Sequence, residues 1–254
     1  MLTEKDSFTE RFETLKSYIS QAKHITFFGG AGVSTGSGIP DFRSPRGLYN
    51  NMPEEYRNVE PEYMLSHSCF CDKPELFFAF YRAVMDLRNF KPNSVHKYLA
   101  KLESEGKIEA VITQNVDMLH EDAGTKKIFK IHGTLAQNHC DKCRKIYNRD
   151  YIFTDSNPVP YCECGGIIRP DIVLYCEPLP VDQVDGAIEA LHNTDLLIIC
   201  GTSLKVQPAA SFISECNASK WVIINNQLTD YDCWADIMFR EDMNIIFDRL
   251  LKEL

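Results

Sequence analysis

Four cysteines fall in two tight pairs, Cys140-x2-Cys143 and Cys162-x-Cys164, separated by residues 144–161. Two close pairs of thiolates suit a tetrahedral zinc ion. Four thiolate ligands leave no open position, so such a metal would be structural. The second pair has one intervening residue, shorter than usual, and Gly165-Gly166 supplies the turn that tight chelation needs. Two disulfides or free thiols are the rival reading, with His139 as an alternative ligand. A second group of interest is FGGAGVSTGSGIPDFRS at 28–44. Glycine lets backbone approach a pyrophosphate, and helix-start amides can then face the anion. Gly30-Ala31-Gly32 supplies only the first part of a GxGxxG fingerprint, with Thr35 where the third glycine would stand. Alone, it fits nucleotide binding or a plain strand-to-loop turn equally well.

These groups need a scaffold. Residues 7–23 carry apolar residues at helical spacing, and HITFF (24–28) is a short β-type run entering the glycine turn. Further strand-like runs are EAVIT (109–113), DLLIICG (195–201) and WVIIN (221–225), with helical patterns at 93–104 and 207–216. Short buried strands alternating with helices imply a parallel sheet covered on both faces. Two regions interrupt the alternation. Residues 41–90 read as a helical and loop insertion, with a helix over 77–87, and 134–170 as a small metal-held module.

The chain has 254 residues, 44% hydrophobic and 25% charged, as in ordinary globular proteins. A formal charge of −9 lacks the global basic footprint of a nucleic-acid binder. The amphipathic N-terminus has no apolar signal-peptide core, and LLIIC (196–200) is far too short to span a membrane. A cytoplasmic protein without nucleic-acid or membrane partners is expected. In that setting ten cysteines suggest thiols or metal. Cys200 reads as core, while Cys69, Cys71, Cys216 and Cys233 get no functional assignment.

GAGVSTGSGIPDFRS closely resembles the signature loop of the sirtuins, the NAD-dependent protein deacylases. TQNVDMLH (113–120), KIHGT (130–134), GTSLKVQPA (201–209) and INN followed by Gln227 resemble further family segments, in family order. The cysteine pairs fall where the family carries zinc. The resemblance implies an α/β fold: a Rossmann-like, doubly wound parallel sheet over 1–40, 91–133 and 171–254, with a smaller zinc-binding and helical domain from 41–90 and 134–170. It implies NAD, one structural Zn2+ on Cys140, Cys143, Cys162 and Cys164, and acetyl-lysine peptides or proteins as substrates.

It also implies roles. An acyl-lysine carbonyl oxygen attacks the nicotinamide ribose, nicotinamide leaves, and a base activates a ribose hydroxyl so that the acyl group ends on ADP-ribose. His132 matches the base, and histidine titrates near working pH. Asn115 joins His132 as catalytic. Gly30, Ala31, Gly32 and Thr35 would border the diphosphate and ribose, and Asp41, Phe42 and Arg43 would form a mobile loop. Phe42 would cover the ribose and Arg43 face the phosphates. Gln114, Val116, Asp117, Gly201, Thr202, Ser203, Asn225, Gln227 and Met243 complete the cofactor set, and His120 is structural. A mono-ADP-ribosyltransferase, or an idle NAD or ADP-ribose sensor, would share the scaffold. Either would be expected to depart at His132 or Asn115.

IIRPDIVLYCEPLP (167–180) resembles the family's substrate-pairing segment, with Cys176 where glycine is usual. Cys176 is thus expected to be an accessible, oxidisable thiol. Sirtuins that prefer acidic acyl groups carry Tyr-x-x-Arg; here Val84 follows Tyr81 and Arg82 lies one residue along, which favours neutral acyl groups.

Overall fold

The computed structural model describes residues 2, 3 and 5–253. The strands are β1 (Ile25–Gly29), β2 (Ile108–Thr113), β3 (Ile128–Lys130), β4 (Gly133–Cys140), β5 (Ile146–Asn148), β6 (Ile168–Ile172), β7 (Leu196–Cys200), β8 (Lys220–Ile224) and β9 (Ile237–Phe239). The helices are α1 (Phe8–Gln21), α2 (Pro61–Met64), α3 (His67–Asp72), α4 (Pro74–Val84), α5 (Ser94–Ser104), α6 (Leu119–Asp122), α7 (Tyr151–Thr154), α8 (Val181–His192) and α9 (Met243–Glu253). Among the described residues no helix is long and apolar enough to cross a membrane.

Six strands form a parallel sheet in the order β3-β2-β1-β7-β8-β9. This is the doubly wound order, reversing direction between β1 and β7. β1 and β7 are buried at every residue because helices cover both faces. On one face Phe12 and Leu15 of α1, Leu99 of α5 and Phe247 of α9 pack with Phe27 and Ile198. On the other, Ala187 and Leu191 of α8 pack with Phe28 and Ile199. Local signals set the helix starts. Ser7 accepts from the Glu10 amide at the head of α1, and Asn93 and His96 form a capping box on α5.

β4, β5 and β6 form a separate antiparallel sheet. It shares one core with α2–α4: Phe77, Phe78, Phe80 and Tyr81 pack with Leu135, Ile152, Ile172 and Leu174. Arg82 fastens the two parts further. Its guanidinium donates to the carbonyls of Ile152, Pro158 and Asn157, each at 2.8 Å.

The strands expected at 24–28, 109–113, 195–201 and 221–225 are present to within a residue or two. The expected helix over 207–216 is instead a 3-10 helix, Ala209–Glu215. Ser211 and Ser214 Oγ donate to the carbonyls of Pro208 and Ser211, each at 2.6 Å, and so favour the tighter i→i+3 pattern. Strands β3 and β9 escape sequence reading because three residues carry too little periodicity.

Two histidines are buried back to back behind the sheet's C-terminal edge. The rings of His96 and His120 lie 4.7 Å apart. Burial lowers the His120 pKa to about 4. Burial first, then the charge of His120, lowers that of His96 to about 2. Unfolding returns both toward 6.5. Below pH 6.5 the unfolded chain therefore binds protons that the folded chain does not, and stability falls as pH falls. The slope is about 1.4 kcal/mol per pH unit for each histidine, active for His120 between pH 6.5 and 4. Thermal melts should show Tm dropping from pH 7 to 5, with a shallower drop in His120→Asn. An equal drop in that variant would refute this origin.

Candidate active site

The loops after β1, β2, β7 and β8 meet at the point where the sheet reverses direction, the usual ligand position in such folds. Glycine is required here by backbone packing. A Cβ on Gly30 would lie 2.7 Å from Thr202 Cβ, and one on Gly32 2.7 Å from Gly201 Cα. Gly201 itself has φ of 59°. The Gly32 amide donates to the Gly201 carbonyl at 2.8 Å, so the two loops are stapled together. Ala31–Ser37 then continues as a 3-10 helix, in which Thr35 Oγ1 donates to the Gly32 carbonyl at 2.8 Å.

A polar network lines this junction. Gln114 Nε2 donates to Thr202 Oγ1 at 2.9 Å. Asn115 Nδ2 donates to Ser34 Oγ at 3.0 Å, and that hydroxyl donates to Asp117 Oδ2 at 2.7 Å. Asp117 Oδ1 also accepts from the Leu119 amide at 3.0 Å. Asn115, Asp117 and Ser34 are all buried. Burial raises the Asp117 pKa, against its two hydrogen bonds. Ser34 joins two expected site residues and was missed. Its only signal was a hydroxyl inside the glycine loop.

His132 stands at the start of β4, beside this network. Its Nδ1 lies 2.9 Å from the Gln114 carbonyl. A carbonyl only accepts, so Nδ1 carries the hydrogen and Nε2 is left with a lone pair. Burial lowers the His132 pKa, opposed by the Gln114 bond, so the ring is neutral at neutral pH. The next residue, Gly133, has φ of 81°, and a Cβ there would lie 2.2 Å from the Asp171 carbonyl oxygen. Gly133→Ala should displace β4 from β6 and destabilise the protein by roughly 2 kcal/mol or more, read as a lower Tm, with His132 moved out of line. An unchanged Tm would refute it.

The remaining expected cofactor residues are spread around this junction. Asn225, buried after β8, donates from Nδ2 to the Gln227 carbonyl at 2.9 Å, while Gln227 itself is exposed. Met243 opens α9 with its sulfur 3.6 Å from Cys200 Sγ. Val116 packs on the core shared by α2–α4 and the three-stranded sheet, and Ser203 is half-buried beside Thr202. Asp41 Oδ1 accepts from the Ser44 amide at 2.9 Å, and Phe42 packs on Tyr49 with ring centres 5.3 Å apart. Arg43 donates to Tyr175 Oη at 3.1 Å, stacks over Tyr49 and pairs with Glu62 at 3.6 Å. It thus lies toward residues 173–177. Tyr49 and Tyr175, whose hydroxyls are 2.7 Å apart, were not singled out from sequence.

The four clustered thiols have all sulfurs within 4.8 Å of one another. Cys140 and Cys164 are 3.5 Å apart and Cys143 and Cys162 3.6 Å. These separations are far beyond a disulfide, about 2.05 Å. They match the roughly 3.8 Å edge of a tetrahedron with zinc–sulfur bonds of about 2.3 Å. The short Cys162-x-Cys164 spacing is accommodated by Gly165 at φ 80° and by Gly166, where a Cβ would lie 2.7 Å from Cys140 Sγ. The residues therefore fit a structural zinc. His139 turns its Nδ1 to Asp171 instead. Cys176 is exposed with φ of 72°, a backbone state that explains why glycine is usual there.

Comparison with known proteins agrees with this architecture. Residues 30–208 match the model of the Sir2 family. An NAD-dependent protein deacetylase of Clostridium tetani is 45% identical over 243 residues, covering 95% of this chain and 98% of the relative. One from Staphylococcus epidermidis is 43% identical over 240 residues, covering 94% and 96%. A Sir2 structure with a p53 peptide and NAD+ superposes with a TM-score of 0.84 at 36% identity, covering 95% of this chain and 98% of that one. Because the Sir2 family model matches residues 30–208, most of the chain, and relatives 43–45% identical align over nearly all of it, the chain belongs to the Sir2 family.

Proposed function

We infer that the protein is an NAD-dependent protein-lysine deacetylase, transferring acetyl from acetyl-lysine to ADP-ribose with release of nicotinamide. The observation that carries this is His132: a neutral imidazole with its tautomer fixed by Gln114, placed beside the loop junction of the sheet. NAD, when bound, supplies the glycosidic carbon that accepts the acyl oxygen. Nε2 of His132 takes a proton from a ribose hydroxyl, the step for which its lone pair is free. Asn115 and Ser34 hold the ribose end through their shared hydrogen bond, and Asp117 accepts from the carboxamide end. Gly30, Ala31, Gly32, Thr35, Gln114, Val116, Gly201, Thr202 and Ser203 border the diphosphate and ribose. Asn225, Gln227 and Met243 serve the adenosine side. Arg43 leaves its exposed contacts with Glu62 and Tyr175, which cost little to break, and turns to the phosphates while Phe42 excludes water.

The acetyl-lysine peptide adds as a strand beside 173–177. Neutral acyl groups are favoured, because the Arg82 guanidinium is engaged by three carbonyls and Tyr81 is buried in the small-domain core. We further propose that 41–90 and 134–170 act as one small domain, the latter held by zinc, against a cofactor domain of 1–40, 91–133 and 171–254. A cytoplasmic setting suits ten cysteines with no disulfide among the described residues. The net charge of −9 argues against nucleic acid and anionic membranes as partners.

The test is mass spectrometry of an acetyl-lysine peptide incubated with the protein, with and without NAD. Free lysine and O-acetyl-ADP-ribose should appear only with NAD. NAD binding without deacetylation, together with ADP-ribosylated protein, would instead establish ADP-ribosyl transfer.

A further inference from the structure

Helix α3 carries a second set of chemically active side chains. His67 and Cys71 stand one turn apart, so both lie on one face. His67 Nε2 is 3.3 Å from Cys71 Sγ. Its other nitrogen, Nδ1, is 2.8 Å from Glu177 Oε1. Glu177 is itself fixed. Arg169 donates to both of its oxygens at 2.8 Å, and the Leu174 amide donates at 2.9 Å. Burial disfavours its charge, but the Arg169 fork, the amide and His67 outweigh burial and hold the pKa at about 2. At neutral pH the carboxylate is an acceptor only. His67 therefore carries its hydrogen on Nδ1, and its Nε2 lone pair faces the thiol. Thiol, imidazole and carboxylate in this order activate a cysteine nucleophile. Cys71 is exposed, so a small electrophile can reach the sulfur.

The other cysteines lack this arrangement. Cys69 and Cys200 are buried, Cys216 is half-buried with its sulfur accepting from the Ala218 amide, and four thiols belong to the zinc-type cluster. Cys176 and Cys233 are exposed, with no imidazole in hydrogen-bond contact among the described residues.

We propose that Cys71 is a peroxide-reactive thiol, activated by His67 and Glu177, whose oxidation to sulfenic acid weakens binding of the acyl peptide. The sulfur attacks the terminal oxygen of a hydroperoxide. The S–O bond forms as the O–O bond breaks, and His67 Nε2 takes the thiol proton. That proton then passes to the departing oxygen, which leaves as water or an alcohol. Sulfur is oxidised by two electrons and the peroxide is reduced by two. The link to binding is structural. Ser66 pairs with Tyr175 as a β-bridge, the His67 amide donates to the Tyr175 carbonyl at 3.1 Å, and the Tyr175 amide donates to Leu65 at 3.0 Å. An added oxygen on Cys71 pushes His67 from Glu177 and so disturbs the 173–177 segment. This last step rests on the deacetylase reading; the thiol chemistry does not.

The test uses full-length, zinc-loaded protein treated with limiting hydrogen peroxide and a cyclic 1,3-dione that traps sulfenic acids. Peptide mass mapping reads the labelling rate at each cysteine. Cys71 should label on the order of tenfold faster than Cys233, the exposed reference in the same molecule. His67→Gln should bring Cys71 to the Cys233 rate while leaving Cys233 unchanged. Cys176→Gly, run in parallel, removes the exposed thiol next to Glu177 in sequence, the candidate to consume the sulfenic acid. Equal rates at Cys71 and Cys233 in both backgrounds, or no effect of His67→Gln, would overturn the proposal. Oxidised protein should show a raised KM for acetyl peptide that Cys71→Ser abolishes. Labelling without a KM change would overturn the coupling alone. Absence of any deacetylase activity would count against the proposed function and leave the labelling result decisive for Cys71.

Discussion

Replacing His132 with alanine should lower NAD-dependent deacetylation by roughly a hundred- to ten-thousand-fold, the usual contribution of a positioned general base. The loss should fall on kcat. Among the described residues the His132 side chain makes one hydrogen bond, to the Gln114 carbonyl, its backbone carbonyl accepts from the Val173 amide whatever the side chain, and the Gln114–Thr202 and Asn115–Ser34–Asp117 contacts do not pass through the ring. NAD binding should therefore survive, and calorimetric titration with NAD should give an affinity within a few-fold of the parent. A variant retaining a tenth of parent activity would remove His132 from the role of base. Loss of NAD binding together with activity would instead mark it as a structural support for Gln114.

Removing zinc should have the second large effect, confined to one part of the molecule. Around the four thiols the core is small: Cys140, Cys162 and Ile168, with Tyr147, Tyr151 and Cys164 packed alongside. Ile146 of β5 is exposed. Residues 151–159 are held as well by Ile152 and Val159 in the core shared with α4 and by Arg82, but so little apolar burial cannot order the thiol-bearing loops at 141–148 and 161–166, to which structural zinc contributes on the order of 10 kcal/mol. In Cys162→Ser, or after chelation, hydrogen exchange across 141–148 and 161–166 should approach that of unfolded chain, while α1 and β1 stay protected. Deacetylation should fall to background, because β6 leads directly into the segment proposed to pair with peptide. Unchanged protection of 141–148 and 161–166 after complete zinc loss would show that the apolar packing suffices.

Much of the cofactor half is legible in the sequence because one physical rule governs it. Strands buried on both faces read as short apolar runs, and the loops after them carry the polar residues. Thus HITFF, EAVIT and LLIIC locate β1, β2 and β7, and their ends locate Gly30, Gln114 and Gly201. The glycines, expected to admit a pyrophosphate, prove to be needed first for contact between two loops distant in sequence. Sequence shows which residues are small but not what presses on them. Ser34 is hidden for the same reason: a serine becomes a hub only when Asn115 and Asp117 are brought to it. The pairing of His67 with Glu177 joins helix to loop across 110 positions, which no local pattern encodes. Arg43 illustrates a different limit. Its charge marks it as a binding group, but its contacts with Glu62 and Tyr175 depend on how the loop lies.

The central position of β1 has a consequence for how the chain is made. Its neighbours are β2 on one side and β7 on the other. Thr26 of β1 and its hydrogen-bond partner Thr194 are 168 positions apart. A ribosome adds about 5–20 residues per second, so β1 waits on the order of ten seconds for β7 to emerge. Throughout that interval ITFFG presents an unpaired apolar edge, the kind of segment that recruits foreign strands. The small-domain helices and the thiol cluster are translated within the same interval. Nascent chains halted before residue 195 should therefore be captured by holding chaperones, and chains extended past β8 should be released.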